Sequence, residues 1–300
     1  MKTVTFSEIP VPQKHAWLNH AIAPRPIAFV STIDKNGAVN LSPFSYFNIV
    51  SINPSVVVFS TLIKAKDNSL KHTLQNVMEV PEAVINICDY DMVQQMSLSS
   101  CEFEKDVDEF IKTGFTKQAA TFVQPPMVKE AKVKLECKVI EIKSLGDKGG
   151  AGQLVFCEVI CVHADENILN DDGTMIDQLK LHHVSRLGGD WYCKTDATNI
   201  FHVNKPTTEI AIGVDALPES IRNSSILTGN NLGLLANVIA IPEIDPSFSD
   251  DTLKNIFQYY SITPDEMEIE LHRYAKQLLD KGDVNAAWQV LLFDAPETER

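Results

Sequence analysis

From residue 132 the chain reads KVKLECKVIEI, with Val133, Leu135, Cys137 and Val139 alternating against Lys132, Lys134, Glu136 and Lys138. A period of two requires a strand with one face buried and the other wet, because successive side chains of a strand point to opposite sides. The glycine-rich connection GDKGGAG follows, and QLVFCEVICVHA returns as a nearly all-apolar strand. The connection lacks the spacing of a phosphate-binding loop and joins strand to strand, so it reads as a long hairpin turn.

The same signals recur upstream. RPIAFVSTIDKNGAVNLSPF gives an apolar run from Ile27 to Val30, a polar Asp34-Lys35-Asn36-Gly37 turn and then AVNL, the pattern of a β-hairpin with Asn-Gly supplying positive φ. SVVVFS (55–60) reads as a third strand and AVINIC (83–88) as a fourth β-segment. Between them Leu70, Leu74, Val77 and Met78 repeat at helical spacing. YDMVQQMSLSSCEF and DVDEFIKTGF read as short helices or loops over the mouth of a barrel. Several short strands with two or so interposed helices suit a small closed or partly closed barrel.

After about residue 200 the character changes. DDTLKNIFQYY carries Leu253, Ile256, Phe257 and Tyr260 on one face. The next segment opens with Thr263 as N-cap, Pro264 at the first helical position and Glu266 completing a capping box, and Gly282 ends it. VNAAWQVLLF is a further helix. Residues 1–200 are therefore expected to form one domain and 201–300 a helical appendage. The segment 212–238, dense in Gly, Asn and hydroxyls, reads as an ordered loop with either a packing role or a lid role.

Charge and cysteine usage narrow the function classes. A formal net charge of -14 disfavours polyanion binding over the whole surface and leaves room for a local basic pocket, so no nucleic-acid partner is expected. Six scattered cysteines without C-x-x-C point to a reducing, cytoplasmic compartment. No run approaches the ~20 apolar residues that span a bilayer, so no membrane partner is expected. No metal is expected either: H-E-x-x-H is absent, and Cys157 and Cys161 should share one strand face inside a core.

Three stretches can carry chemistry. In LSPFSYFNIVSINPSVVVFS and the residue before it, Asn40, Ser42, Ser45 and Asn48 offer hydrogen bonds while Phe44, Tyr46 and Phe47 offer flat apolar area. Either this is a surface for a planar heteroaromatic ligand or a barrel strand with a wet outer face. In STLIKAKDNSLKH, Ser60, Thr61, Lys64, Lys66 and Asp67-Asn68-Ser69 converge where a helix opens from Leu70, which suits a phosphate or merely a helix cap. In HHVSRLGGDWYCKT, His183 or Arg186 contacts a ligand, or the segment is a tight turn with packed aromatics.

Taken in order, RPIAFVSTIDKNGAVNLSPFSYFNIVSINPSVVVFS, KDNSLKHTLQNV, FVQPPMVKEAKVKLECKVIEI and RLGGDWY resemble the flavin reductase-like family, in particular its longer flavoredoxin-type branch, over roughly residues 10–200. The resemblance implies a mainly β fold with helices, the FMN-binding split β-barrel, with the C-terminal α-helical part as an extension. It implies FMN as cofactor, lying along Asn40, Ser42, Pro43, Ser45, Phe47 and Asn48, with its phosphate and ribityl chain near Ser60, Thr61, Lys66, Asp67 and Ser69. His183 and Arg186 approach the flavin from either chain of a homodimer. Relatives often read Lys-Asp-Thr where this chain has Lys66-Asp67-Asn68-Ser69, which leaves the hydroxyl donor there open. The implied chemistry is hydride transfer from NADH or NADPH to flavin N5, which needs no catalytic side chain of its own. A flavoredoxin-like electron carrier reduced by a redox partner protein, and a flavin-binding protein without turnover, are the alternatives.

Overall fold

The structure, a computed structural model, describes residues 1–206 and 209–293. The chain forms two compact units, Met1–Phe201 and His202–Arg300. Residues 207–208 and 294–300 of the expected appendage lie outside the described residues.

The first unit runs through helix α1 (Val11–Ala21), strands β1 (Arg25–Pro26), β2 (Ala28–Ile33), β3 (Val39–Phe44), β4 (Phe47–Ser51) and β5 (Val56–Leu62), and helix α2 (His72–Glu79). It continues with β6 (Glu82–Ile87), α3 (Val93–Leu98), α4 (Glu109–Thr113), β7 (Lys117–Gln118), β8 (Met127–Val128), β9 (Val133–Ser144), β10 (Gly152–Ala164), β11 (Val184–Arg186) and β12 (Tyr192–Lys194). Its frame is a seven-stranded sheet in the order β3-β2-β6-β9-β10-β5-β4, beside a small β1-β11-β12 sheet and the β7-β8 pair.

The first hairpin forms as its turn chemistry dictates. β2 pairs with β3 from Ala28↔Phe44 to Ile33↔Val39, and Gly37 takes the positive φ of 86°. Asp34 Oδ1 accepts from the N–H groups of Asn36 and Ala38, which ties the turn to its own acid. β2 is buried on both sides: Ala28 and Val30 join a cluster with Val57, Phe59, Leu74 and Ile85, while Ile27 and Phe29 join Leu41, Met92, Met96 and Phe110. That double burial explains why its sequence is a continuous apolar run rather than an alternating one.

Six expectations need correction. Within the stretch 41–60 an extra strand, β4, pairs antiparallel with β5. Helix α2 begins at His72, not Leu70, and its N-cap Lys71 makes no side-chain capping bond. Asp67 instead accepts from the Ser69 N–H at 2.9 Å across Asn68, whose φ is 58°, so these residues satisfy a tight turn of their own. Met78, placed by periodicity on the apolar face, is exposed.

The remaining two corrections concern β9 and β10. Glu136, expected on the wet face, is 0 % exposed, because residues 121–123 fold over it. Cys157 and Cys161 do not share a face. Val159 pairs with Cys137 but Cys161 pairs with Glu136, so Ile160 is an extra residue in β10. Cys137 and Glu136 are adjacent and point to opposite sides, and the bulge therefore turns Cys161 away from the face that carries Cys157 and Val159.

The second unit contains α5 (Glu219–Arg222), α6 (Gly229–Ala236), α7 (Asp251–Tyr260), α8 (Pro264–Asp280) and α9 (Val284–Leu292). Leu217, Ile221, Leu235, Leu253, Leu271, Leu279 and Trp288 bury one another in its own core. Segment 212–238 thus packs inside this unit. The capping box expected at Thr263 is absent, since its hydroxyl faces the Tyr260 carbonyl instead. A reciprocal box occurs at Thr228 and Asn231. Among the described residues no helix is long and apolar enough to cross a membrane.

Candidate functional site

A cleft of about 440 Å³ opens on the first unit. β3 supplies Asn40, Ser42, Pro43 and Phe44, the link to β4 supplies Ser45 and Tyr46, and β5 supplies Ser60 and Leu62. Strand alternation decides which side chains face it. Leu41 is fully buried between Asn40 and Ser42, and Thr61 is fully buried beside Ser60.

Cationic residues reach the cleft from four separate places. Arg25 comes from β1, Lys64 from the turn after β5, Lys71 and His72 from the start of α2, and Arg186 from β11. Convergence of this kind gives a net-acidic chain one local basic pocket. Burial, followed by Lys64, Lys105 and Lys71, holds the His72 imidazole below its ordinary pKa, so it is a neutral donor or acceptor more readily than a cation.

The floor is a buried polar chain. Thr73 Oγ1 donates to Asn40 Oδ1 at 2.5 Å, Asn40 Nδ2 donates to Glu109 Oε1 at 2.8 Å, and the Leu41 N–H donates to Glu109 Oε2 at 3.1 Å. Burial pushes the Glu109 carboxyl above its ordinary range, although these donors oppose the shift. Glu109 opens α4, whose N-cap Asp108 accepts from Phe110 N–H and whose C-terminal Gly114 takes φ 74°. Four-square capping fixes where this short helix can place its carboxylate.

Helix α1 forms one wall through His15, Asn19 and His20, yet buries no residue of its own. Polar contacts hold it. Arg25 Nη1 donates to the Asn19 carbonyl at 2.6 Å and Nη2 to the Leu187 carbonyl at 2.9 Å, while Tyr46 Oη donates to Asn19 Oδ1 at 3.0 Å. Gly188 is the close approach: a Cβ there would lie 2.3 Å from the His20 ring.

Of the residues singled out in the sequence, Asn40, Ser42, Pro43, Ser45, Ser60 and Arg186 line this cleft. Seven others are not brought to it. Phe47 packs toward the sheet core, and Asn48 is exposed, its Oδ1 accepting from the Ile49 N–H. Thr61 points inward, Lys66 stands exposed in the turn, and Asp67 and Ser69 bond each other. His183 forms a β-bridge with Asp89, and burial lowers its pKa. Sequence reading passed over His15, Asn19, His20, Arg25, Lys71, His72 and Glu109, which come from distant segments with no common spacing. The Gly188-Gly189 pair is the one local signal of His20's approach, and it is legible only once α1 is in place.

Comparison with known proteins bears on what such a cleft serves. Residues 20–181 match the family model described as a flavin reductase like domain. An uncharacterized protein of Aquifex aeolicus (strain VF5) is 36 % identical over 173 residues, 58 % of this chain and 85 % of that protein. Nitrilotriacetate monooxygenase component B from Bacillus cereus superposes with a TM-score of 0.63 at 29 % identity, over 68 % of this chain and 98 % of that one. A split barrel domain protein from Shewanella frigidimarina NCIMB 400 gives 0.57 at 25 % identity, over 66 % of this chain and 95 % of that one. These matches cover the β-rich unit and leave much of the helical unit unmatched.

Proposed function

The chain belongs to the flavin reductase-like family, with a split-barrel fold and a C-terminal helical extension, and on that premise we propose that the cleft holds FMN and that the protein transfers hydride from NADH or NADPH to it. The cleft wall carries this reading. Flat apolar Phe44 and Tyr46, hydroxyl-bearing Ser42, Ser45 and Ser60, and basic Arg25, Lys64, Lys71 and Arg186 surround one space of a size suited to a small cofactor. A bound flavin supplies the two-electron chemistry itself.

The residues of this chain bind, orient and stabilise. Serine hydroxyls and backbone groups of the β3–β4 link suit the polar edge of a planar ring, and the aromatic side chains suit its faces. Lys64 and Lys71 offer charge to a phosphate. Arg25 and Arg186 offer positive charge to a ring that becomes more negative on reduction. No nucleophile or strong general base is required, which fits a cleft whose buried Glu109 carboxylate is already engaged by two donors, Asn40 Nδ2 and the Leu41 N–H.

Anaerobic stopped-flow mixing of FMN-loaded protein with NADH or NADPH tests the proposal. Rapid loss of the visible flavin band supports a reductase. If neither nucleotide bleaches a flavin that dithionite reduces readily, the protein is an electron carrier or a binding protein instead. Comparing affinities for FMN, FAD and riboflavin in the same preparation settles the cofactor.

A homodimer is part of the same proposal. β4 lies at the edge of the sheet, and Ile49, Val50 and the following Ile52 are exposed on it. An apolar edge of this kind suits a second copy of the chain. Sedimentation of the full chain should give twice its 33.4 kDa mass.

A further inference from the structure

Outside the cleft, Glu136, Cys161 and His163 bring a carboxylate, a thiol and an imidazole to one point on the sheet, with ligand atoms all within 4.8 Å of one another. None of the three lines the cleft. The bulge at Ile160 is what assembles them. It puts Cys161 and His163, two residues apart on β10, on the same side as Glu136, the cross-strand partner of Cys161.

We propose that this group is a zinc site. The alternative for such a trio, a thiol activated by a histidine that a carboxylate orients, requires the thiol and the carboxylate on opposite ring nitrogens. Here both face the same one: His163 Nε2 lies 3.5 Å from Cys161 Sγ and 2.6 Å from Glu136 Oε1. A single proton on Nε2 serves one of them, whereas a cation in the middle serves all three. Zinc bonds of ~2.3 Å to sulfur and ~2.0 Å to nitrogen at a tetrahedral angle separate those atoms by about 3.5 Å, the spacing already present. The nitrogen–oxygen edge must open to about 3.3 Å by the same geometry. His163 is free to make that adjustment, its side chain being 31 % exposed.

Glu136 is prepared as a ligand. Its carboxylate accepts from the N–H groups of Thr121 at 2.7 Å, Phe122 at 2.6 Å and Val123 at 3.1 Å, the kind of outer support that orients a metal ligand. The mixed sulfur, nitrogen and oxygen set favours zinc over magnesium or calcium, and three protein ligands leave a fourth position for solvent.

The test is Zn²⁺ titration of the full chain, stripped with chelator, against a chromophoric competitor. Cys101 is exposed, so a Cys101→Ser background removes its contribution. The expected result is one Zn²⁺ per chain, with affinity falling in Cys161→Ser and His163→Gln by more than the roughly 10–100-fold that loss of an outer partner costs. X-ray absorption should show one sulfur at ~2.3 Å. Absence of stoichiometric binding, equal affinity in Cys161→Ser, or a zinc shell without sulfur would overturn the proposal and leave a His163–Glu136 hydrogen bond. Cys161 is partly exposed, so its serine variant keeps the test valid even where His163→Gln fails to fold.

Discussion

The side-chain amide of Asn40 donates to the buried carboxylate of Glu109 at 2.8 Å, and this pair fixes the floor of the cleft. Glu109→Ala leaves Asn40 and the Leu41 N–H without their acceptor. Each unsatisfied buried donor costs about 1–3 kcal/mol, so thermal unfolding should shift clearly downward and flavin affinity should fall with it. Glu109→Gln keeps one acceptor and should be intermediate. Unfolding of Glu109→Ala at the wild-type temperature would show that the floor is held by something else.

The cations at the cleft make a phosphate test possible. Lys64→Ala combined with Lys71→Ala should weaken FMN binding about tenfold or more, a loss of roughly 1.4 kcal/mol, while riboflavin affinity stays nearly constant. Fluorescence titration with both ligands reads this directly. Equal losses for the two would place the phosphate elsewhere.

At Gly188 the β11–β12 turn approaches the His20 side chain of α1 closely. Gly188→Ala forces a Cβ onto the His20 ring and should cost about 1–3 kcal/mol, as overpacking does. Gly188→Ala combined with His20→Ala should recover most of that loss. A single variant as stable as the parent would mean that α1 moves without penalty.

Acid sensitivity follows from His72. Its folded pKa lies below the ordinary 6.5, so at higher pH neither state is protonated there and nothing is lost. As pH falls through about 6.5 the unfolded chain takes up the proton first, and stability drops until the folded value is passed. Glu109 has the opposite sign: its raised pKa makes its contribution greatest at low pH and lessens it as pH rises from about 4.5. Urea unfolding between pH 7.5 and 5.5 should therefore be less pH-dependent in His72→Gln than in the parent. Parallel curves would remove His72 from the account.

The two units have separate cores, the buried residues of the second running from Leu217 to Leu292. A chain ending at Phe201 should fold cooperatively and bind FMN with a yellow colour. Aggregation of that shortened chain in the presence of FMN would show that the β-rich unit depends on the helical one.

Much of the fold was legible because its causes are local. Asn36-Gly37 announced the first hairpin, the alternation from Val133 announced β9, and Leu253, Ile256 and Tyr260 announced α7. The site was less legible. Ser42, Ser45 and Ser60, picked out by their pattern, line the cleft, but Asp67 and Ser69, which looked like a cap with a phosphate above it, close their own turn one residue pair before the helix. His20, Arg25 and Glu109 escaped notice because hydrogen bonds between segments more than 60 residues apart, such as Asn40 to Glu109, leave no periodic trace.

By itself the sequence determined that a strand-rich part precedes a helical one, since periodicity and turn residues act within a few positions of where they stand. Only the tertiary structure decided which polar side chains share a space. One extra residue at Ile160 inverts the sides of β10, and that inversion brings Cys161 and His163 to Glu136. Parity along a strand is a local property until a bulge interrupts it, and the need for a bulge is set by the neighbouring strand.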